Sequence, residues 1–192
     1  MQRPDDAKRA SIMTAAVRLF SRKPFHEVLL DDVAAAAKVG KGTVYIYFKS
    51  KEDLYDTLVL EAFSKIVDRL RELADDSVES AWQELERMVN EMVTWASANP
   101  NFFRMMMQGT SDRVRPCLTK KRKELGKTFE IVLRRGVKSG EMRDTNPALT
   151  AQYIPACIRS AIKYGSDKQT PAGITKHLMG FLGAMRTEGT SR

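Results

Sequence analysis

The chain has 192 residues, 43% of them hydrophobic and 29% charged, with 7 prolines, 11 glycines and 2 cysteines. That balance excludes a disordered chain, a collagen-like repeat and a disulfide scaffold. Lys and Arg outnumber Asp and Glu by 32 to 24, a formal net charge of +8, which favours nucleic acid or an anionic membrane surface as partner.

Helical stripes fill the sequence and no segment alternates with the period of a strand, so an all-α fold of about nine helices is expected. The first helix starts near Pro4-Asp5-Asp6, carries Ile12, Ala15, Ala16, Leu19 and Phe20 on one face, and stops before Pro24. Two short helices follow, from about Asp31 to Ala37 and from about Lys41 to Tyr47. Ser50 caps a long helix that runs to about Ala74, and Asp75-Asp76-Ser77 is expected to end it and cap the next. That next helix carries Val78, Ala81, Trp82, Leu85, Met88, Val89, Met92 and Trp95. Asn99-Pro100, Asn146-Pro147 and Thr170-Pro171 each place a capping residue before a proline suited to a first helical position. Between the first two, a helix is expected from near Pro116 to Lys138, bounded by Ser139-Gly140. Pro155 falls inside the helix after Asn146 and is expected to bend it.

Cys117 and Cys157 form no C-x-x-C pair and lie far in sequence from His26 and His177. Two buried free thiols in a reducing cytoplasm are expected, with no metal and no cofactor. No run approaches the roughly 18 apolar residues of a membrane span. The N-terminal MQRPDDAKRA lacks the apolar core of a signal peptide. A cytoplasmic protein with no membrane partner is the expectation.

The most informative stretch is Leu30 to Asp53. Val33, Ala37, Val39, Val44 and Tyr47 are spaced for two short helices crossing steeply, and Ala34 is small enough for the crossing to be close. That is the arrangement of a helix-turn-helix, whose second helix enters a major groove, and equally of any helical hairpin. Charge does not decide between them: residues 1–55 carry a net +3 and the remainder +5.

Phe20 and Phe25, Asp32-Val33-Ala34, Lys41-Gly42-Thr43-Val44-Tyr45-Ile46-Tyr47-Phe48 and Lys49-Ser50-Lys51-Glu52-Asp53-Leu54 together resemble the TetR family of bacterial transcriptional regulators. Pro100 to Arg104 and Ser139 to Arg143 resemble its looser C-terminal signatures. The chain departs from the family at Lys38, where glycine is usual in the turn, at Gly40, where serine is usual, and at Val28-Leu29, where a Ser or Thr cap is usual.

The resemblance implies a helix-turn-helix DNA-binding domain at 1–50 and a ligand-binding and dimerisation domain at 51–192. Lys41, Gly42, Thr43, Tyr45, Tyr47 and Lys51 are the expected DNA contacts, with the Tyr47 hydroxyl and the Lys51 ammonium directed at phosphate. An effector pocket is expected among Trp82, Met88, Met92, Trp95, Phe103 and Met106, whose adaptable apolar groups suit an apolar or amphipathic small molecule. Few buried acids are evident there. A homodimer seam is expected from Ile158, Ile162, Leu178, Phe181, Leu182 and Met185, with Gly180 and Gly183 permitting close approach.

The expected function is a dimeric repressor released from a palindromic double-stranded DNA operator by a small ligand. A constitutive repressor without ligand and a helical protein-interaction adaptor without DNA binding are the alternatives. No enzyme is expected: the chain has no Gly-rich phosphate loop, no nucleophile elbow and no His-acid pair at useful spacing. The Lys120-Lys121-Arg122-Lys123 run is expected to be a solvated helix face.

Overall fold

The computed structural model describes residues 5–75, 80–99, 112–165 and 169–187. They form eight α-helices: α1 (Asp6–Phe20), α2 (Leu30–Ala37), α3 (Lys41–Tyr47), α4 (Lys51–Ala74), α5 (Ala81–Ala98), α6 (Arg115–Lys138), α7 (Pro147–Tyr164) and α8 (Pro171–Leu182), with 3-10 turns at Phe25–Glu27 and Gly183–Met185. The only extended pairing among the described residues is an isolated bridge between Met142 and Arg186. The all-α expectation holds.

The helices start where side chains satisfy their first N–H groups. The Asp5 carboxylate accepts from the Ala7 N–H, the Asn146 side chain from Leu149 and the Thr170 hydroxyl from Gly173. The cap of α5 is Ser80, in a reciprocal capping box with Gln83, and not the acidic triplet after α4. Gln83 stands three residues after Ser80 and supplies the second half of that box, whereas the residue three after Ser77 in the sequence is a serine. The start expected at Asn99-Pro100 and the signature at 100–104 lie outside the described residues. Helix α7 continues through Pro155 without interruption.

The described chain falls into two compact units, divided within α4 between Ala62 and Phe63. The first holds α1–α3, the start of α4 and residues 112–117; the second holds the remainder. In the first unit α1 packs on α2 and α2 on α3. Ile12, Ala15, Ala16, Phe20, Val33, Ala34, Ala37, Val44 and Phe48 are all buried. Phe20, Phe25 and Tyr55 form a ring cluster with centroids 4.9–5.8 Å apart. Burial is the main cause, with the Asp56 charge behind it, that raises the Tyr55 pKa above its ordinary value.

In the second unit α5 packs against α7 and α8. Leu85, Met88, Val89 and Val93 of α5, Phe129, Val132 and Leu133 of α6, and Ile154 and Ile158 of α7 fill the core. Gly136 is required by packing: a Cβ there would lie 2.8 Å from the Met142 sulfur. Among the described residues two acids are buried. Glu84 is fully buried against Arg135, and Asp56 is buried in the first unit. Both sit at helical positions where the apolar stripe continues on either side, so spacing alone gave no sign of them. The thiols differ from expectation. Cys117 and Cys157 are exposed, each on the outer side of its helix beside buried Leu118 and Ile158.

Lys38 closes α2 in the left-handed region, at φ 57°. A side chain with a Cβ is disfavoured there, and glycine is the residue best suited to it. Lys38→Gly is therefore expected to raise unfolding stability by about 1 kcal/mol, visible as a higher urea midpoint at unchanged m-value.

Candidate nucleic-acid interface

The turn at Lys38 sets α3 across α2. Its C-cap geometry sends the Lys38 N–H to the Ala35 carbonyl and the Val39 N–H to the Ala34 carbonyl, closing α2 sharply. Helix α2 begins at Leu29, where no hydroxyl is available. The Asp32 carboxylate takes over half of the capping role by accepting the Leu29 N–H at 3.4 Å. Gly40 precedes α3 with no side-chain cap.

Helix α3 buries Val44 completely and shows the opposite side to solvent. Residues two positions either side of Val44 lie on the outer face, because 3.6 residues make a turn. These are Gly42 and Ile46. Ile46 is 66% exposed and its neighbour Tyr45 is 48% exposed. Sequence reasoning missed Ile46 because a lone isoleucine between two tyrosines reads as core. The outward register is visible only once Val44 is known to be the buried residue. A Cβ at Gly42 would meet nothing within 4 Å, so internal packing does not demand the glycine. Leu29, 59% exposed, stands at the start of α2. Val28, Leu29, Leu30, Asp31, Lys41, Tyr45, Lys49, Ser50 and Lys51 line a shallow recess beside this face.

The expected DNA contacts are not all free. Lys41 is exposed and paired with Asp31 at 2.8 Å, and the Asp31 hydrogen bond, then its charge, raises the Lys41 pKa. Thr43 is half-buried. The Tyr47 hydroxyl accepts the Asp5 N–H at 2.7 Å and donates to the Asp5 carbonyl at 3.0 Å, which ties α3 to the start of α1. The Lys51 ammonium donates to the Phe25 carbonyl at 2.9 Å and lies 4.5 Å from the centre of the Phe25 ring. Both groups thus hold α1, the Phe25 turn and α4 together. Gly42, Tyr45 and Lys41 lie on or beside the open face.

The junction of α3 and α4 is pinned by Asp53. Its carboxylate accepts the Lys49 N–H at 2.9 Å and pairs with Arg113, while the Ser50 hydroxyl accepts the Asp53 N–H at 3.1 Å. The Lys49 N–H above all, aided by Arg113, holds the Asp53 pKa below its ordinary 3.8, against the effect of burial. A depressed carboxylate pKa adds stability above the unfolded value that disappears as pH falls through the folded one. Asp53→Asn is expected to cost about 1 kcal/mol at pH 7, with the difference from wild type closing as pH falls below the ordinary carboxylate range in urea titrations.

Residues 12–58 match the family of bacterial regulatory proteins known as the tetR family. They span the second turn of α1, the α2–α3 pair and the first part of α4. The match covers the helix-turn-helix segment, about a quarter of the chain. Along most of its length the chain is also similar to the HTH-type transcriptional regulator YhgD of Bacillus subtilis, 24% identical over 186 residues, 94% of this chain and 95% of that one. Its fold is that of a tetR-family regulatory protein from Rhodococcus RHA1, with TM-score 0.81 and 21% identity over 96% of this chain and 100% of the other. The transcriptional regulator FadR of Bacillus subtilis, solved in complex with stearoyl-CoA, has TM-score 0.77 and 20% identity, covering 91% of this chain and 97% of its own. The chain is a DNA-binding transcriptional regulator, and α2–α3, inside the matched segment, is its helix-turn-helix.

The residues expected to take an effector fall in the second unit. Trp82, Met88 and Met92 are buried on α5, and Trp95 is half-buried. Phe103 and Met106 lie outside the described residues. Trp82 also borders a cleft of about 660 Å3 with Ser80, Ser139, Glu141 and Thr187, and Arg186 stands 5.3 Å from its ring centre.

The expected dimer residues divide by exposure. Ile158, Leu178 and Leu182 are buried, Ile162 and Met185 half-buried, and Phe181 is 70% exposed. Helices α7 and α8 leave between them an open groove of about 790 Å3, lined by Cys157, Ile158, Ala161, Tyr164, Leu178 and Phe181 among others. Tyr153 and Tyr164 are 54% and 73% exposed on α7.

Proposed function

We propose that the chain is a dimeric repressor whose residues 1–50 bind a palindromic operator and whose residues 51–192 bind an effector and form the dimer. The observation that carries this reading is the outer face of α3. Gly42, Tyr45 and Ile46 stand open on a helix fixed by a helix-turn-helix, with Lys41 beside them. Gly42 lets backbone approach a base edge, Tyr45 and Thr43 supply hydroxyls, and Lys41 exchanges Asp31 for phosphate on binding. Tyr47 and Lys51 act on the DNA through the position they give α3 and the start of α4, since their polar atoms already hold protein carbonyls.

Dimerisation through α7 and α8 is supported by the apolar groove and by Phe181, Tyr164 and Tyr153, which are larger and more exposed than a monomer surface favours. A palindromic operator follows from a two-fold dimer, with half-sites about 34–36 Å apart. Cytoplasmic residence follows from binding DNA. No helix among the described residues is long and apolar enough to cross a membrane.

The effector is an amphipathic molecule with a long apolar body. Two buried methionines and two tryptophans on α5 support this, as does the similarity to a FadR that binds stearoyl-CoA. The test is a gel shift on DNA upstream of the chain's own gene, with stearate or stearoyl-CoA added. Retarded DNA released by either compound is the expected result. Retardation that no such compound relieves leaves a constitutive repressor, and no retardation at all leaves the adaptor reading.

A further inference from the structure

The outer stripe of α3 offers little hydrogen-bonding chemistry. The helix holds no arginine, asparagine or glutamine, the side chains that pair bidentately with guanine or adenine in a major groove. Its one charged group, Lys41, is held by Asp31 at 2.8 Å. Thr43 is half-buried, and the Tyr47 hydroxyl is bonded to Asp5. The side away from buried Val44 carries Gly42 and, one turn on, exposed Ile46. A Cβ at Gly42 would meet nothing within 4 Å, so internal packing leaves that position open, and the missing side chain lets the helix lie close to a base pair. Charge is arranged to match a duplex. Lys41, Lys49 and Lys51 line the recess on one flank, where phosphates run along a groove, whereas the Gly42–Ile46 stripe that faces the base edges is uncharged.

Only one feature of a base edge in the major groove is apolar, the C5-methyl group of thymine. We propose that Ile46 is a specificity-determining residue of α3 and reads thymine through that methyl, so that each half-site carries a thymine where Ile46 meets the groove. The other bases are disfavoured at that position for a physical reason. Each presents an amino group, a carbonyl or a ring nitrogen there, and an isoleucine displaces the water bound to it while offering no hydrogen bond in return. Gly42 contributes by the approach it permits, since a side chain on the same stripe would hold Ile46 away from the base edges. The proposal rests on the reading of α3 as the helix that enters the groove, and goes beyond it by naming the base and the atom recognised.

The experiment measures binding of the full-length protein, at fixed salt, to DNA upstream of the chain's own gene, prepared with either thymine or uracil throughout. Uracil keeps the hydrogen-bonding groups of thymine and lacks only the methyl, and the phosphates are unchanged. Wild type is expected to bind the uracil duplex at least about fourfold more weakly, the factor that follows from losing one buried methyl. Ile46→Ala is expected to bind the thymine duplex more weakly than wild type and to lose most of the preference for thymine over uracil. Val17→Ala shortens another exposed apolar side chain, on α1, and is expected to keep the wild-type preference. Circular dichroism should show both variants folded. Equal binding of the two duplexes by wild type overturns the proposal. So does an Ile46→Ala protein that keeps the wild-type preference, which moves methyl recognition to another residue, or a Val17→Ala protein that loses it, which makes the effect an indirect one. Failure of the underlying reading looks different: wild type that binds neither duplex more tightly than unrelated DNA overturns α3 as the reading helix, and the proposal with it.

Discussion

Phe181→Glu is expected to convert the regulator to a monomer and to abolish tight operator binding. Phe181 is 70% exposed on α8, beside the groove between α7 and α8. In the proposed dimer that ring is buried against a second copy, so the substitution places a carboxylate in an apolar seam with no cation assigned to it. Burying an unpaired charge costs several kcal/mol, enough to shift a dimer to monomer at micromolar concentration. The exposed position means that the monomer itself should fold normally. Operator binding falls with the dimer because each half-site alone gains only one set of contacts. Sedimentation velocity with circular dichroism separates this outcome from misfolding. A variant that remains dimeric moves the seam away from α8.

Arg135→Ala is expected to destabilise the second unit by about 3 kcal/mol. Glu84 has no exposed surface, and its carboxylate pairs with Arg135, whose side chain is one-third exposed. Removing the arginine strands a buried carboxylate, and breaking a buried pair from one side costs roughly 3–5 kcal/mol. The lower end applies because Glu84 has a further interaction within the protein. The joint replacement of Glu84 by Gln and Arg135 by Met should recover most of the loss, since the penalty lies in the unpaired charge and not in the missing contact. Urea unfolding of the single and double variants measures both. An Arg135→Ala protein as stable as wild type shows that the pair is idle.

Much of the fold was legible because the helices announce their own starts. Asp5, Ser50, Asn146 and Thr170 each cap the helix expected from them, and α3 and α4 run as their stripes indicate. The helix-turn-helix was legible in the same way, down to the strained turn: Lys38 occupies a left-handed position where glycine is usual. What could not be read was the partner of each polar group. Tyr47 and Lys51 look like phosphate ligands by position, yet their hydroxyl and ammonium meet the carbonyls of Asp5 and Phe25, residues more than 20 positions away in the chain. Long-range pairing of this kind has no periodic signature. The same holds for Glu84 with Arg135. A charged residue on an apolar stripe reads as an error of register until the facing helix is in view. Cysteine burial failed for a simpler reason. A helix position one residue from a buried one is as often outside as inside, and residue type alone decided the expectation.

The central claim is that the outer face of α3 reads DNA. Fluorescence anisotropy on DNA upstream of the chain's own gene tests it most directly, comparing wild type with Tyr45→Ala/Ile46→Ala at fixed salt. Both side chains are exposed, so the variant should unfold near the wild-type midpoint. Each lost base-edge contact costs about 1–3 kcal/mol, so the pair should weaken specific binding about 100-fold while binding to unrelated DNA, carried by phosphates, changes little. A folded variant that binds its upstream DNA as tightly as wild type would contradict the assignment of α3 as the reading helix.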